Sequence, residues 1–101
     1  MEHQYMYVLV RNDLSGPQKA VQSAHAAIEA SRAFIKPGEE HPSVIIVTVK
    51  SEQKLKNIAD KLGVKYRAFF EPDIGNQMTA IATEPIHGEQ RKFFRKFQLM
   101  K

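Results

Sequence analysis

Arg11-Asn-Asp-Leu-Ser-Gly-Pro-Gln-Lys-Ala-Val-Gln-Ser-Ala-His25 decides how this chain folds, because it joins an apolar strand to a helix whose first turns carry polar, chemically capable side chains. Upstream, Tyr5 to Val10 is an apolar run rich in aromatic and β-branched residues, too short for a buried helix. Asn12-Asp13 and Ser15-Gly16-Pro17 supply turn chemistry. Pro17 suits the first helical turn, with Ser15 or Gly16 as the cap. In open α/β sheets, ligands settle outside the carboxyl ends of strands, where helix N-termini present unpaired N–H groups and partial positive charge. The junction is therefore the expected site, and an anionic or phosphate-bearing partner fits it.

Working outward, the first helix is expected to pack through Val21, Ala24, Ile28, Ser31 and Ile35, spaced by three or four residues, and to end near Lys36-Pro37-Gly38. Val44 to Val49 is apolar on both faces, as in a strand covered by helices on two sides. Ser51 can cap a second helix with a Leu55, Ile58, Ala59 and Leu62 stripe, stopped by Gly63. Val64 to Phe70 and Met78 to Thr83 read as two further strands. The seven residues Glu71–Gln77 between them are too few for a helical crossover, so one strand must run antiparallel to the others. Arg91 to Phe97 reads as a terminal helix that packs through Phe93, Phe97 and Met100. The βαβαββα order predicts an α/β protein, a three-layer α/β/α sandwich around a four-stranded mixed sheet, with residues 1–101 forming a single domain. If the first and third strands point the same way, the Arg11–Gln18 and Pro72–Gln77 loops share one edge of the sheet.

The composition narrows the function. At 101 residues the chain can bury one core without staples, and the absence of cysteine excludes disulfides and zinc-thiolate sites. No run approaches the roughly 20 apolar residues that span a bilayer, and the N-terminus has no leader pattern, so a soluble cytoplasmic protein with no membrane contact is expected. The net charge is +4, with Arg91, Lys92, Arg95, Lys96 and Lys101 crowding the last eleven residues. That tail is either a solvated helix face or a surface for nucleic acid.

Two blocks carry a family resemblance. Arg11-Asn12-Asp13-Leu14, followed by Ala20-Val21-Gln22-Ser23-Ala24-His25-Ala26, resembles the "R-x-D-L … G-K-x-A-A-Q-x-x-H-A" signature of type II peptidyl-tRNA hydrolases. Asp73-Ile-Gly75, then Thr79-Ala-Ile-Ala82 and Pro85, is similar to that family's "D-A-G-x-T … T-x-x-A-x-x-P" block, and the order matches. The chain also departs from the pattern. Gln18 stands where the family has lysine, and the nearest ammonium, Lys19, lies about 100° further around the helix. Asn76 and Gln77 stand where the family has arginine and threonine, in a shortened loop.

Gln18, Gln22 and His25 fall at i, i+4 and i+7, one polar stripe from the helix N-terminus, which either lines a cleft or bonds loop backbone. His25 is the one side chain here that titrates near neutrality when unperturbed, though a structural role suits it as well. Asp73 either bonds its own turn or orients water. The resemblance implies hydrolysis of the ester joining peptide to the 3′ end of tRNA, with Asp73, Gln22, Thr79, Lys19 and His25 as catalytic candidates. It likewise implies tRNA contacts by Arg11, Asp13, Gln18 and Asn76, while the charge of the terminal helix points to Arg91 and Arg95 as phosphate contacts. Neither a metal cluster nor a nucleotide-cradling motif is visible, so no cofactor and no metal are expected; a homodimer is left open. The alternative is a weak or inactive relative that keeps the fold as an RNA-binding or protein-interaction module, which Gln18 favours.

Overall fold

A computed structural model describes residues 3–100; Met1, Glu2 and the tail residue Lys101 lie outside the described residues. Strand β1 (Tyr5–Arg11) leads into helix α1 (Gly16–Phe34), followed by β2 (Ser43–Val49), α2 (Glu52–Ala59), β3 (Tyr66–Glu71) and β4 (Gln77–Thr83). A 3-10 segment, Gly88–Lys96, precedes the two-residue β5 (Gln98–Leu99). The strands form one sheet in the order β3-β4-β1-β2-β5. β1 and β2 are parallel, β4 runs antiparallel to both β1 and β3, and β5 runs antiparallel to β2. Because β4 lies between β3 and β1 in the opposite sense, β1, β2 and β3 all end at the same edge.

Local chemistry sets the first helix as expected. The Ser15 hydroxyl accepts from the Gln18 N–H at 3.2 Å, and Pro17 sits in the first turn, where a missing N–H leaves no bond unmade. The helix ends at Phe34, since Pro37 disfavours helical backbone at Lys36 and Gly38 takes φ +88°. Its packing face differs from the periodic reading. Gln22, Ser23, Ala26 and Ala30 are buried, whereas Val21 is 46% and Ile28 56% exposed. Small side chains let the helix approach the sheet closely, and Gln22, Ala26, Ala30 and Phe34 recur every four residues along that face. The bulkier Val21 and Ile28 have no room there.

Alternation along β1 divides the core in two. Met6, Val8 and Val10 meet Ala26, Ala30, Ala80 and Ala82 under α1. Tyr7 and Leu9 face Leu55, Ile58 and Ala59 of α2 together with Phe94. Helices thus cover both faces of a mixed sheet, as expected. The sheet, however, has five strands and not four, because Phe97 leaves the terminal segment in extended conformation and lets residues 98–99 run along the free edge of β2. α2 also stops at Ala59, ahead of Gly63.

The terminal element is a 3-10 helix rather than an α-helix through Phe97. With three residues per turn, Arg91, Phe94 and Phe97 fall on one side. Phe94 is 2% exposed and stacks on Tyr7, with ring centroids 4.3 Å apart; Phe93 and Phe97 pack beside it. Among the described residues no helix is long and apolar enough to cross a membrane. Replacing Phe94 by alanine should lower stability by about 3–5 kcal/mol in a urea titration, a large part of the roughly 5–15 kcal/mol of a small domain. A loss below about 1 kcal/mol would mean that the terminal segment does not anchor the α2 face.

Candidate active site

The loops after β1 and β3 lie at the shared edge, and beside them a chain of hydrogen bonds ties α1 to the end of β3 and to β4. Thr79 Oγ1 donates to Gln22 Oε1 at 2.7 Å, and Gln22 Nε2 donates to Glu71 Oε1 at 2.8 Å and to Gln18 Oε1 at 3.0 Å. Gln22 and Thr79 have no solvent exposure, so the amide is fully satisfied inside the fold. A β-bulge makes this possible. Phe69 pairs with Ala80 and Phe70 with Met78, which leaves Thr79 without a partner on β3. The extra residue breaks the alternation of β4, so Thr79 joins Ala80 on the α1 face instead of pointing toward α2.

A second cluster sits on the opposite face of the same edge. Arg11 donates to both carboxylate oxygens of Asp13 at 2.9 Å, to Gln77 Oε1 at 2.7 Å and to the Met78 carbonyl at 3.3 Å. Four of the five guanidinium N–H donors are thereby engaged within the protein, and Arg11 is 8% exposed. The bidentate bond from Arg11 holds Asp13 below the ordinary aspartate range and raises Arg11 in turn. Glu52, in the first turn of α2, accepts from the Met78 N–H at 2.7 Å. That bond, with Lys56 and Arg11 nearby, holds its carboxyl below the usual range. Arg11 and Glu52 therefore both fix the start of β4 at Met78.

The other candidates are placed less centrally. Asp73 is exposed in the single 3-10 turn Pro72–Ile74, between Glu71 and the left-handed pair Gly75 and Asn76. Asn76, at φ +58°, shapes this hairpin, and its N–H bonds the Glu71 carbonyl at 2.9 Å. Lys19 Nζ donates to Asn12 Oδ1 at 3.1 Å. His25 stacks flat on Phe69, ring centroids 4.4 Å apart, outside the Gln22 chain.

Arg91 lies at the far end of the sheet. Its guanidinium is 3.7 Å from the centroid of the Tyr5 ring, and its Nε reaches Tyr7 Oη at 3.3 Å. Tyr5 opens β1 and Arg11 closes it, which separates Arg91 from the junction by roughly 20 Å. The exposed Arg95 joins Arg91 in lining a cleft of about 690 Å³.

Glu71 and Glu52 are not marked by the sequence reading, and Gln77 enters it only as a departure from the family pattern. Glu71 had a signal, since it follows Arg67 and Phe69 at period two and so shares their face of β3. Gln77 and Glu52 had none, because their partners lie far along the chain. Among the described residues, no three His, Cys, Asp or Glu side chains are placed to hold a metal ion.

Two results test the geometry. Thr79→Val keeps the shape but removes the hydroxyl that donates to buried Gln22 Oε1, and should lower stability by roughly 1–3 kcal/mol; an unchanged denaturation midpoint would show the chain of bonds to be dispensable. Because Asp13 titrates lower folded than unfolded, its pair stabilises fully above the unfolded aspartate value and fades as pH falls through the lowered folded one. Asp13→Asn should flatten this acid limb in pH-dependent melting, by a small amount since the carboxylate is 45% exposed.

The model of the peptidyl-tRNA hydrolase PTH2 family matches residues 4–100. No curated protein is similar enough to match. Among solved structures, a protein of unknown function from Agrobacterium tumefaciens C58 superposes with TM-score 0.67 at 12% identity, over 100% of both chains. That likeness shows the fold alone.

Proposed function

The chain belongs to the peptidyl-tRNA hydrolase PTH2 family, and we propose that it hydrolyses the ester between a peptide and the 3′ end of tRNA. In that reaction water adds to the ester carbonyl, the bond to the ribose oxygen breaks, and the departing oxygen takes a proton, giving the peptide acid and free tRNA. The carrying observation is the family match along nearly the whole chain. The convergence of the two sequence blocks through Gln22 supports it.

In this reading Asp73 positions the water from its exposed turn. Gln22 is buried and its amide is fully bonded, so it acts as a positioning residue, fixing Thr79, Glu71 and Gln18 around the junction. Lys19 supplies positive charge at the start of α1, beside the developing oxyanion. Arg11 and Asp13 hold the loop rather than the substrate. His25 covers Phe69 and flanks the site. The tRNA body then extends toward Arg91 and Arg95, a reach of roughly 20 Å that suits a polynucleotide better than a small ester. A single cytoplasmic hydrolase domain without cofactor accounts for these features.

The second reading is an RNA-binding relative with little or no turnover. It is favoured by Gln18, whose carbonyl accepts from Gln22 where a lysine would offer only donors.

Steady-state hydrolysis of peptidyl-tRNA, with aminoacyl-tRNA as control, tests both. Asp73→Asn should lower kcat at least tenfold, about 1.4 kcal/mol of transition-state stabilisation. Glu71→Gln, which keeps an oxygen for Gln22 but loses the charge, should stay within about threefold of the parent. The reverse order would make Glu71 the reacting carboxylate. Absence of turnover in the parent protein, with tRNA binding intact, would establish the second reading.

A further inference from the structure

The crevice between the carboxyl ends of β1 and β2 takes no part in the chemistry assigned above. It measures about 410 Å³ and is lined by Asn12, Asp13, Thr48, Val49, Lys50 and Gln98. Topology creates it. β1 and β2 are parallel neighbours, yet the chain leaves β1 for α1 on one face and β2 for α2 on the other. Connections that depart to opposite faces leave a gap at the strand ends, and open α/β sheets bind ligands in such gaps. The Asn12 N–H bond to the Val49 carbonyl, 2.7 Å, holds the two ends at fixed separation. A volume of this order suits one small ligand.

The charges around the crevice select an anion. Asp13, the one carboxylate in the lining, is already neutralised by its bidentate bond to Arg11. Lys50 is exposed and has no ion-pair or hydrogen-bond partner among the described residues. Lys19 Nζ is tethered to Asn12 Oδ1 at the rim, which leaves the Asn12 amide N–H groups for a ligand. One unpaired ammonium and an amide donor thus line one opening. Along the sheet edge, it lies one to two strand spacings from Thr79, roughly 5–10 Å.

We propose that this crevice binds the phosphate of the terminal nucleotide of the acceptor strand, with Lys50 as its counter-charge and the Asn12 amide as a donor. The assignment rests on the peptidyl-tRNA reading and names the part of that substrate which the crevice holds. A phosphate seated here anchors the nucleotide whose ribose carries the ester, while the ester itself reaches the Gln22 side of β1.

The test is an amide NMR titration of the full chain with adenosine 5′-monophosphate, adenosine and inorganic phosphate in parallel. The monophosphate should shift Asn12, Thr48 and Lys50 saturably, and adenosine and inorganic phosphate should each bind at least fivefold more weakly. Lys50→Ala, at an exposed position, should weaken the monophosphate at least fivefold and leave the remaining spectrum unchanged. Unchanged affinity in that variant, or shifts confined to another surface, would overturn the proposal. Inorganic phosphate binding as tightly as the nucleotide would also overturn it, leaving a bare anion site. Peptidyl-tRNA turnover by the same samples separates the two readings. Turnover without nucleotide at the crevice removes only the crevice assignment, whereas nucleotide at the crevice without turnover upholds it and removes the hydrolase reading.

Discussion

Burial of the Gln22 amide is the constraint from which the arrangement of this edge follows. A primary amide with no access to water must have its oxygen and both N–H groups bonded within the protein, or the fold loses the solvation of each unmet group. Thr79, Glu71 and Gln18 meet that requirement from three separate elements. Ordinary alternation would point Thr79 at α2. The bulge opposite Phe69 and Phe70 is what turns it toward α1. One polar side chain on a helix thus fixes the register of a hairpin some fifty residues away in sequence.

The same logic explains why Arg11 can end an otherwise apolar strand. Its side chain falls on the α2 face, where a guanidinium would be poorly solvated, and four bonds to Asp13, Gln77 and Met78 compensate it. Glu52 of α2 accepts from the Met78 N–H on the same face. The start of β4 is therefore clamped on the α2 face by charge and on the α1 face by the Gln22 chain. This leaves the Asp73 turn as a short exposed excursion between two fixed points, a suitable mount for a side chain that must reach solvent and substrate.

Much of this was legible in the sequence, and the failures share a cause. Ser15, Pro17 and Ser51 mark their helix starts through local hydrogen bonding, and Val44–Val49 marks its strand through composition, so each is read within a few residues. Hydrophobic spacing points to the wrong face of α1, because at this helix–sheet contact size outweighs hydrophobicity. Against a sheet at close range, Ala26, Ala30 and even Gln22 fit where Val21 and Ile28 do not. The terminal segment departs from its reading as an α-helix packing through Phe93, Phe97 and Met100, because it winds as a 3-10 helix that buries Phe94. In three-fold helical spacing Arg91 lies in line with Phe94 and packs on Tyr5. Glu71, Gln77 and Glu52 act through partners fixed only by tertiary register, which a single sequence does not display.

Inserting one antiparallel strand inside the sheet has the largest consequence for the site. With β4 between β3 and β1, three strands point their carboxyl ends to one edge, while β4 begins there. Had β3 paired directly with β1 in parallel, the Asp73 turn would lie one strand nearer to Arg11. Thr79 would then have no strand from which to reach Gln22. The antiparallel insertion instead places the start of β4 beside β1 and under α1, so that its first residues can bond to both. Gln77 and Met78 turn to Arg11, and Thr79 turns to Gln22. Arg11 and Gln22 both belong to the first block and Thr79 to the second, so the two blocks meet directly on this one strand, which the first block holds from both faces.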